Sequence, residues 1–367
     1  MKSAVIDLGF GDSGKGTTVA FLSQFFLNSI VVRFSGGHQA GHTVVKDGMR
    51  HVFSSFGSGT LQNIPTFWSK NCTFSPYLFL EEYERLNKLG IKPVIYVDSR
   101  CPITTFAEVQ KNIQDNEKNS HGSCGLGFGA TLQREEDYFS LTVGDLKYPV
   151  IVKEKLKLIL QHYYPYVSYN DDEFNNFLVD CFEARKFIGI VNENEIDEFL
   201  DGYPSIIYEG SQGLLLDKDI GFFPHVTRAN VGSKGIGEKI HDVYYVTRAY
   251  QTRHGNGPMA NENIPHNIIA NPNETNVSNY QGEFRRSLLD IDMLKYAIEK
   301  DNAIAKIKNL VITCMDHVKN DLRFTKNGVI INCLTESEFV SRIAASLNID
   351  GVYLSYSEEF KNIKRAI

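Results

Sequence analysis

The chain has 367 residues, 42% of them apolar and 22% charged, which excludes a disordered, collagen-like or disulfide-stapled protein and leaves a globular one with a sizeable core. Thirty-eight Lys and Arg against 44 Asp and Glu give a formal charge of −6, so there is no overall basic footprint for a nucleic-acid polymer. No apolar run approaches the ~18 residues of a membrane span, glycines and an acid come too early for a secretory signal, and six scattered cysteines read as buried thiols, so a cytoplasmic protein is expected.

Ala4 to Leu8 is a short apolar run that ends on Gly9-Phe10-Gly11, and apolar residues recur at helical spacing from Thr17 to Leu27. The opening therefore reads strand, glycine loop, helix. A second strand, Ile30 to Phe34, follows closely, and this alternation predicts an α/β fold that is P-loop-like, with a mostly parallel central sheet, helices on both faces and long functional loops. Further strands are expected at Val94 to Val97, Phe187 to Val191, Ser205 to Tyr208, Val243 to Val246 and Leu310 to Cys314, with helices at Tyr77 to Leu89 and Lys153 to Tyr163. Gln39 to Thr60, His121 to Thr131 and Arg253 to Gly282 read as irregular, and loops of that length are usually functional. With no repeat and no clear linker, residues 1–367 read as a single domain with insertions.

From Gly9 the sequence matches G-x-x-x-x-G-K through Lys15, but Gly16 stands where a Walker loop has its Mg²⁺-binding hydroxyl. Backbone N–H groups of Gly11, Ser13, Gly14 and Gly16 at a helix start, with Lys15 and Thr17, suit a phosphate. Asp12, inside the loop, is then the nearest hard oxygen ligand for a metal. Directly after the second strand comes Gly36-Gly37-His38-Gln39-Ala40-Gly41-His42-Thr43, where glycines let backbone approach a ligand. His42, beside the small Ala40 and Gly41, is the candidate to face it, and His38 reads as a solvated side chain.

Together these two elements resemble the adenylosuccinate synthetase family, whose motifs are G-D-E-G-K-G and G-G-H-N-A-G-H-T. Further matches follow in order: Gly122 to Gly129 against I-G-T-T-G-R-G-I-G-P, Val143 to Leu146 against V-G-D-L, and Glu209 to Gly213 against E-G-A-Q-G. Pro224 to Thr227 then matches P-Y-V-T, Thr252 to Pro258 T-R-V-G-A-G-P, and Ile312 to Asp316 L-T-K-L-D. The resemblance implies a two-step ligation in which a nucleoside triphosphate, usually GTP, phosphorylates O6 of a 6-oxopurine monophosphate and the amine of L-aspartate displaces that phosphate. It implies Asp12 as base and Mg²⁺ ligand, with the Gly41 carbonyl on the metal and His42 on the transferring phosphoryl group. Gln39 and Gln212 would lie at the purine, and Ser123, Cys124 and Thr227 at its 5′-phosphate. Asp316 would read the guanine of GTP, with ATP or dATP as other donors, and Thr43 would belong to the donor site. Arg253, Arg285 and Arg286 would receive the aspartate carboxylates.

Several positions depart from the family pattern. The Glu after the catalytic Asp is Ser13, a phosphate-contacting Thr is Cys124, an Arg is Leu126, and the Arg that reaches a partner subunit aligns near Tyr138, leaving Arg134 as its substitute. The short chain with its V-I-D-L-x-F-G opening is similar to the phage branch of 2-aminoadenylosuccinate synthetases, which act on dGMP in the route to 2,6-diaminopurine DNA. Ser13 leaves room and a hydroxyl acceptor for a 2-amino group, so dGMP is the expected substrate, with IMP as the alternative and a catalytically inactive nucleotide-binding regulator as a third reading. The family's shared phosphate site makes a homodimer the expectation.

Overall fold

In the computed structural model, which describes every residue except 27, 120–122, 272–281 and 304, the strand and loop pattern resolves into three sheets. In chain order the strands are β1 (Lys2–Asp7), β2 (Ser29–Arg33), β3 (His42–Lys46), β4 (Met49–Phe53), β5 (Thr66–Trp68), β6 (Ile95–Asp98), β7 (Gly189–Val191) and β8 (Ser205–Gly213). They continue as β9 (Ile240–Arg248), β10 (Tyr250–His254), β11 (Phe284–Asp290), β12 (Ala305–Thr313), β13 (Arg323–Lys326), β14 (Val329–Asn332), β15 (Gly351–Leu354) and β16 (Lys364–Arg365). Ten of these form the central sheet in the order β16-β15-β12-β9-β1-β8-β2-β5-β6-β7. Every pairing in it is parallel except that of β15 with β16 at one edge. The fold is therefore the expected α/β arrangement.

Parallel strands buried on both faces read as continuous apolar runs, which is why β1, β2, β9 and β12 were visible in the sequence. Val5 and Val31 pack on one face with Val19 and Leu22 of the helix Lys15–Ser23, while Ala4 and Ile6 face the helices Ile291–Asp301 and Glu336–Leu347 on the other. A second core surrounds Trp68, Ile95 and Val97, where Phe79, Val152 and Cys181 close over the far end of the sheet.

Several expectations shift. The helix expected to reach Leu27 ends at Ser23, and Leu27 itself lies outside the described residues. The strand expected from Phe187 begins at Gly189, and Lys153 to Tyr163 belongs to a helix Pro149–Leu158 that continues as a π-turn, Ile159–Tyr163. Gln39 to Thr60 is irregular only toward its ends: β3 and β4 form a hairpin turning at Asp47 and Gly48, both with positive φ, the backbone that an Asp-Gly pair suits in a two-residue turn. Of the segment 121–131, a helix begins at Phe128, and residues 121 and 122 lie outside the described ones. Arg253 to Gly282 opens within β10, and its stretch 272–281 is likewise outside. Cys72, Cys101 and Cys181 are buried as expected, whereas Cys124, Cys314 and Cys333 are only partly so. Among the described residues no helix is long and apolar enough to cross a membrane.

Candidate functional site

The glycine loop leaves the carboxyl end of β1, with β8 and β9 paired on either side, the position where open α/β sheets form ligand crevices. Gly11, Asp12 and Gly14 have φ of 96°, 57° and 95°, so the chain makes its turn in the left-handed region. Asp7, which the sequence reading passed over as part of an apolar strand, holds the turn together. Its buried carboxylate accepts from Gly9 N at 2.8 Å, Ser13 N at 3.2 Å and Lys15 Nζ at 3.1 Å. Ser13 is 5% exposed, and its hydroxyl donates to Gly11 O at 3.3 Å. From β12, Thr313 Oγ1 donates to Ser13 O at 2.8 Å, which ties the loop to the strand end that carries Asp316. The carboxylate of Asp12 lies at the rim, 49% exposed, 3.3 Å from His254 Nε2.

His42 opens β3, and its Nδ1 lies 2.6 Å from Glu209 Oε1, near the carboxyl end of β8. Ser58 adds its N–H, at 3.1 Å, and its hydroxyl to the same carboxylate. Burial pushes Glu209 up, but His42, Arg33 and the Ser58 hydroxyl outweigh it and hold the carboxyl down at about 2, so Glu209 is ionised. Burial pulls His42 below its ordinary value against the pull of Glu209. The neutral ring therefore keeps its proton on Nδ1 toward Glu209 and leaves Nε2, which has no partner among the described residues, as a buried lone pair. Gly16 explains itself here: a Cβ would stand 2.8 Å from His42 Cβ, 3.0 Å from Ser58 Oγ and 3.1 Å from Thr43 O. Thr17 Oγ1 donates to the same Thr43 O at 3.4 Å.

His38 is corrected. It is 7% exposed, not solvated: its Nδ1 meets Ser55 Oγ at 3.0 Å, and its Nε2 accepts from Ser75 N at 2.8 Å. Burial, with Arg33 nearby, pulls the ring down to about 3. The unfolded chain takes up a proton below its ordinary 6.5 and the folded ring does not until about 3, so this stability is complete above pH 6.5 and is lost as the pH falls through that window. The expected slope is about 1.4 kcal/mol per pH unit. Urea midpoints measured at pH 7.5, 6 and 5 should show it in the unmodified chain and show it reduced in His38→Gln; equal slopes would count against a buried neutral His38.

Gln212 stands beside Gly213, where a Cβ would lie 2.1 Å from Gly9 O, so the β8 backbone runs against the glycine loop there, and the Gln212 amide oxygen accepts from Ser211 Oγ at 3.0 Å. Gln39, two residues beyond the bend at Gly37, has a buried Nε2 without a partner among the described residues. Asp316 sits on the turn Met315–His317 after β12, 43% exposed and 3.7 Å from His317 Nε2. The arginines gather on one strand pair: Arg253 of β10 faces Arg285 of β11 across the ladder, and Arg286 is the next residue on β11. Arg253 lies 4.3 Å over the Phe10 ring of the glycine loop, and burial together with Arg285 pulls its guanidinium down to about 10. Two like charges placed opposite each other are repulsive, and this is a fitting seat for an anion. Arg285 already pairs with Glu262.

Elsewhere the structure departs from expectation. Arg134 is fully buried; its Nε pairs with Glu108 at 2.8 Å and its Nη2 donates to Ile103 O at 2.6 Å, so it does not reach toward a neighbouring subunit's phosphate site. Ser123 Oγ is engaged with Asn112 and Asn116, and only Cys124, partly buried, follows it toward the helix Phe128–Glu136. Thr227 donates its N–H to Leu216 O and remains partly exposed.

Among the described residues no three His, Cys, Asp or Glu converge on a metal position. That suits Mg²⁺, which keeps its waters and phosphate oxygens and takes one or two protein oxygens; Asp12 at the rim and the exposed Gly41 supply hard donors of that kind.

The adenylosuccinate synthetase family profile matches residues 4–329. The chain belongs to the adenylosuccinate synthetase family. The adenylosuccinate synthetase of Buchnera aphidicola subsp. Schizaphis graminum is 29% identical over 350 residues, 89% of this chain and 80% of that protein. The enzyme of Thermoplasma acidophilum is 28% identical, over 84% of this chain and 76% of its own. Among solved structures, fully ligated adenylosuccinate synthetase from Plasmodium falciparum superposes with a TM-score of 0.81 at 20% identity, over 100% of this chain and 99% of that one. The cyanophage S-2L succinoaminodeoxyadenylate synthetase, bound to dGMP and dATP, gives 0.69 at 14% identity, over 99% and 95%. The chain is an adenylosuccinate synthetase-type C–N ligase, from a family that uses IMP, L-aspartate, GTP and Mg²⁺.

Proposed function

We propose that this ligase joins L-aspartate to C6 of dGMP, with GTP as phosphate donor. Asp12 takes the N1 proton, the freed electron pair moves onto O6, and O6 attacks the γ-phosphorus as GDP leaves. The amine of aspartate then adds at C6 and the phosphate departs. Lys15 and the loop N–H groups bind the donor's phosphates, and His42, oriented by ionised Glu209, meets the transferring phosphoryl group through Nε2, where gathering negative charge favours its protonation. Asp12 and the Gly41 carbonyl would hold Mg²⁺, which would supply charge neutralisation at the phosphates. Gln212 contacts the purine O6 region, Arg253 with Arg285 and Arg286 receives a carboxylate of aspartate, and Asp316 reads the donor's guanine.

The observation that carries the choice of dGMP is Ser13. It is short and nearly buried, directly behind Asp12, and its one proton goes to Gly11 O, leaving oxygen lone pairs as acceptors for a 2-amino group. The fold likeness to a cyanophage enzyme bound to dGMP agrees with it. IMP is the second reading, favoured by the retained Asp12 and by relatives named adenylosuccinate synthetase. With purified protein, GTP, Mg²⁺ and aspartate, kcat/KM for dGMP should exceed that for IMP at least about tenfold, the scale on which one mismatched buried polar group discriminates. Ser13→Glu should shrink the ratio. Faster turnover of IMP would make the chain a divergent adenylosuccinate synthetase, and no turnover of either would favour the inactive regulator.

A further inference from the structure

We propose that His254 is a positioning residue for Asp12: its Nε2–H holds one carboxylate oxygen and fixes the other toward the purine N1. The inference rests on the reading of Asp12 as the base. Asp12 occupies a left-handed position at the rim, where a free carboxylate would rotate. One group at the end of β9 and one at the end of β10 lie against it. Arg248 Nε donates to its backbone carbonyl at 2.7 Å, and His254 Nε2 lies 3.3 Å from its Oδ2.

The tautomer follows from the surroundings of the ring. His254 Nδ1 is buried with no partner among the described residues, so an N–H there would be an unsatisfied buried donor, whereas an N–H on Nε2 has the Asp12 carboxylate 3.3 Å away. The ring packs 4.6 Å from Phe284, its cross-strand neighbour on β11. The guanidinium groups of Arg248 and Arg286 lie 5.4 and 5.1 Å over that same phenyl ring. A carboxylate has about four lone-pair sites, so a donor on Oδ2 leaves Oδ1 for the N1 proton and still admits a metal. In the family segment T-R-V-G-A-G-P, which the chain matches from Thr252, the position of His254 is a valine, whose side chain donates nothing.

The test has two arms. In the ligand-free protein labelled with ¹⁵N-histidine, the signal that vanishes in His254→Gln should report an Nε2–H tautomer; an Nδ1–H tautomer overturns the proposal whatever the activity. In steady-state assays on the nucleotide that turns over best, His254→Val should lower kcat about 10-fold or more, the worth of a hydrogen bond to a charged group, with KM for that nucleotide little changed. His254→Gln, which keeps an N–H donor at similar reach, should recover most of the loss. A kcat for His254→Val within about twofold of the unmodified enzyme, or a Gln variant as slow as the Val variant, overturns the proposal. If the unmodified protein turns over no 6-oxopurine nucleotide, the reading of Asp12 fails instead, and the tautomer alone decides whether His254 holds it.

Discussion

Asp12→Asn is expected to lower kcat by about 10²–10⁴, the usual worth of a positioned general base, without moving the unfolding midpoint. The asymmetry comes from where the residue sits. Its side chain is half-exposed, the amide oxygen of Asn can still accept from His254, and Asn adopts the left-handed backbone of this position as readily as Asp. What Asn loses is the ability to accept a proton from N1. Turnover and urea unfolding of the same preparation check both halves, and near-normal turnover would remove Asp12 from the chemistry.

His42→Asn is expected to lower kcat by about 10²–10³ while KM for either nucleotide changes far less, because the group it removes acts on charge that develops during transfer. This variant also destabilises. Glu209 is fully buried and ionised, and the neutral His42 ring is one of its hydrogen-bond donors, so removing that donor costs about 1–3 kcal/mol. Adding Glu209→Gln to His42→Asn should restore much of the stability and none of the rate, which separates the two effects. A double variant that regained turnover, or a His38→Asn enzyme slower than His42→Asn, would show that the wrong histidine had been assigned to the phosphoryl group.

The parts of this molecule that were legible in the sequence are those whose physics is local. Ala4 to Leu8 followed by glycines announces a buried strand entering a turn, and Gly36 to Thr43 announces backbone brought close to something. Three kinds of feature were not legible. Strands such as Thr66–Trp68 are too short for a periodic signal, and the charged start of β12 at Ala305–Lys308 hides a strand that is apolar only from Leu310. The hairpin of β3 and β4 carried its Asp-Gly turn in plain view, but the glycines and histidines before it drew the whole stretch into a loop. The third kind is partnership over distance. Arg134 meets Glu108 only because two helices pack together, Glu209 meets His42 across 167 positions, and Asp12 meets His254 through a different sheet. Asp7 could have been found: an acid at the end of an apolar strand, two residues before a glycine loop, needs donors, and the loop's own amides are the nearest ones.

The absent Cβ of Gly16 sets a boundary on what this loop can become. A Walker loop places a serine or threonine there to grip the metal, and at this position that side chain would collide with the strand that delivers His42. The two ways of serving a phosphoryl group, a hydroxyl on the first helical turn or a histidine arriving from the neighbouring loop, compete for the same few ångströms. A single exchange at residue 16 therefore cannot convert one catalytic strategy into the other. Passage between them requires moving the strand His42–Lys46 as well, so the histidine and the glycine form one structural unit rather than two independent choices.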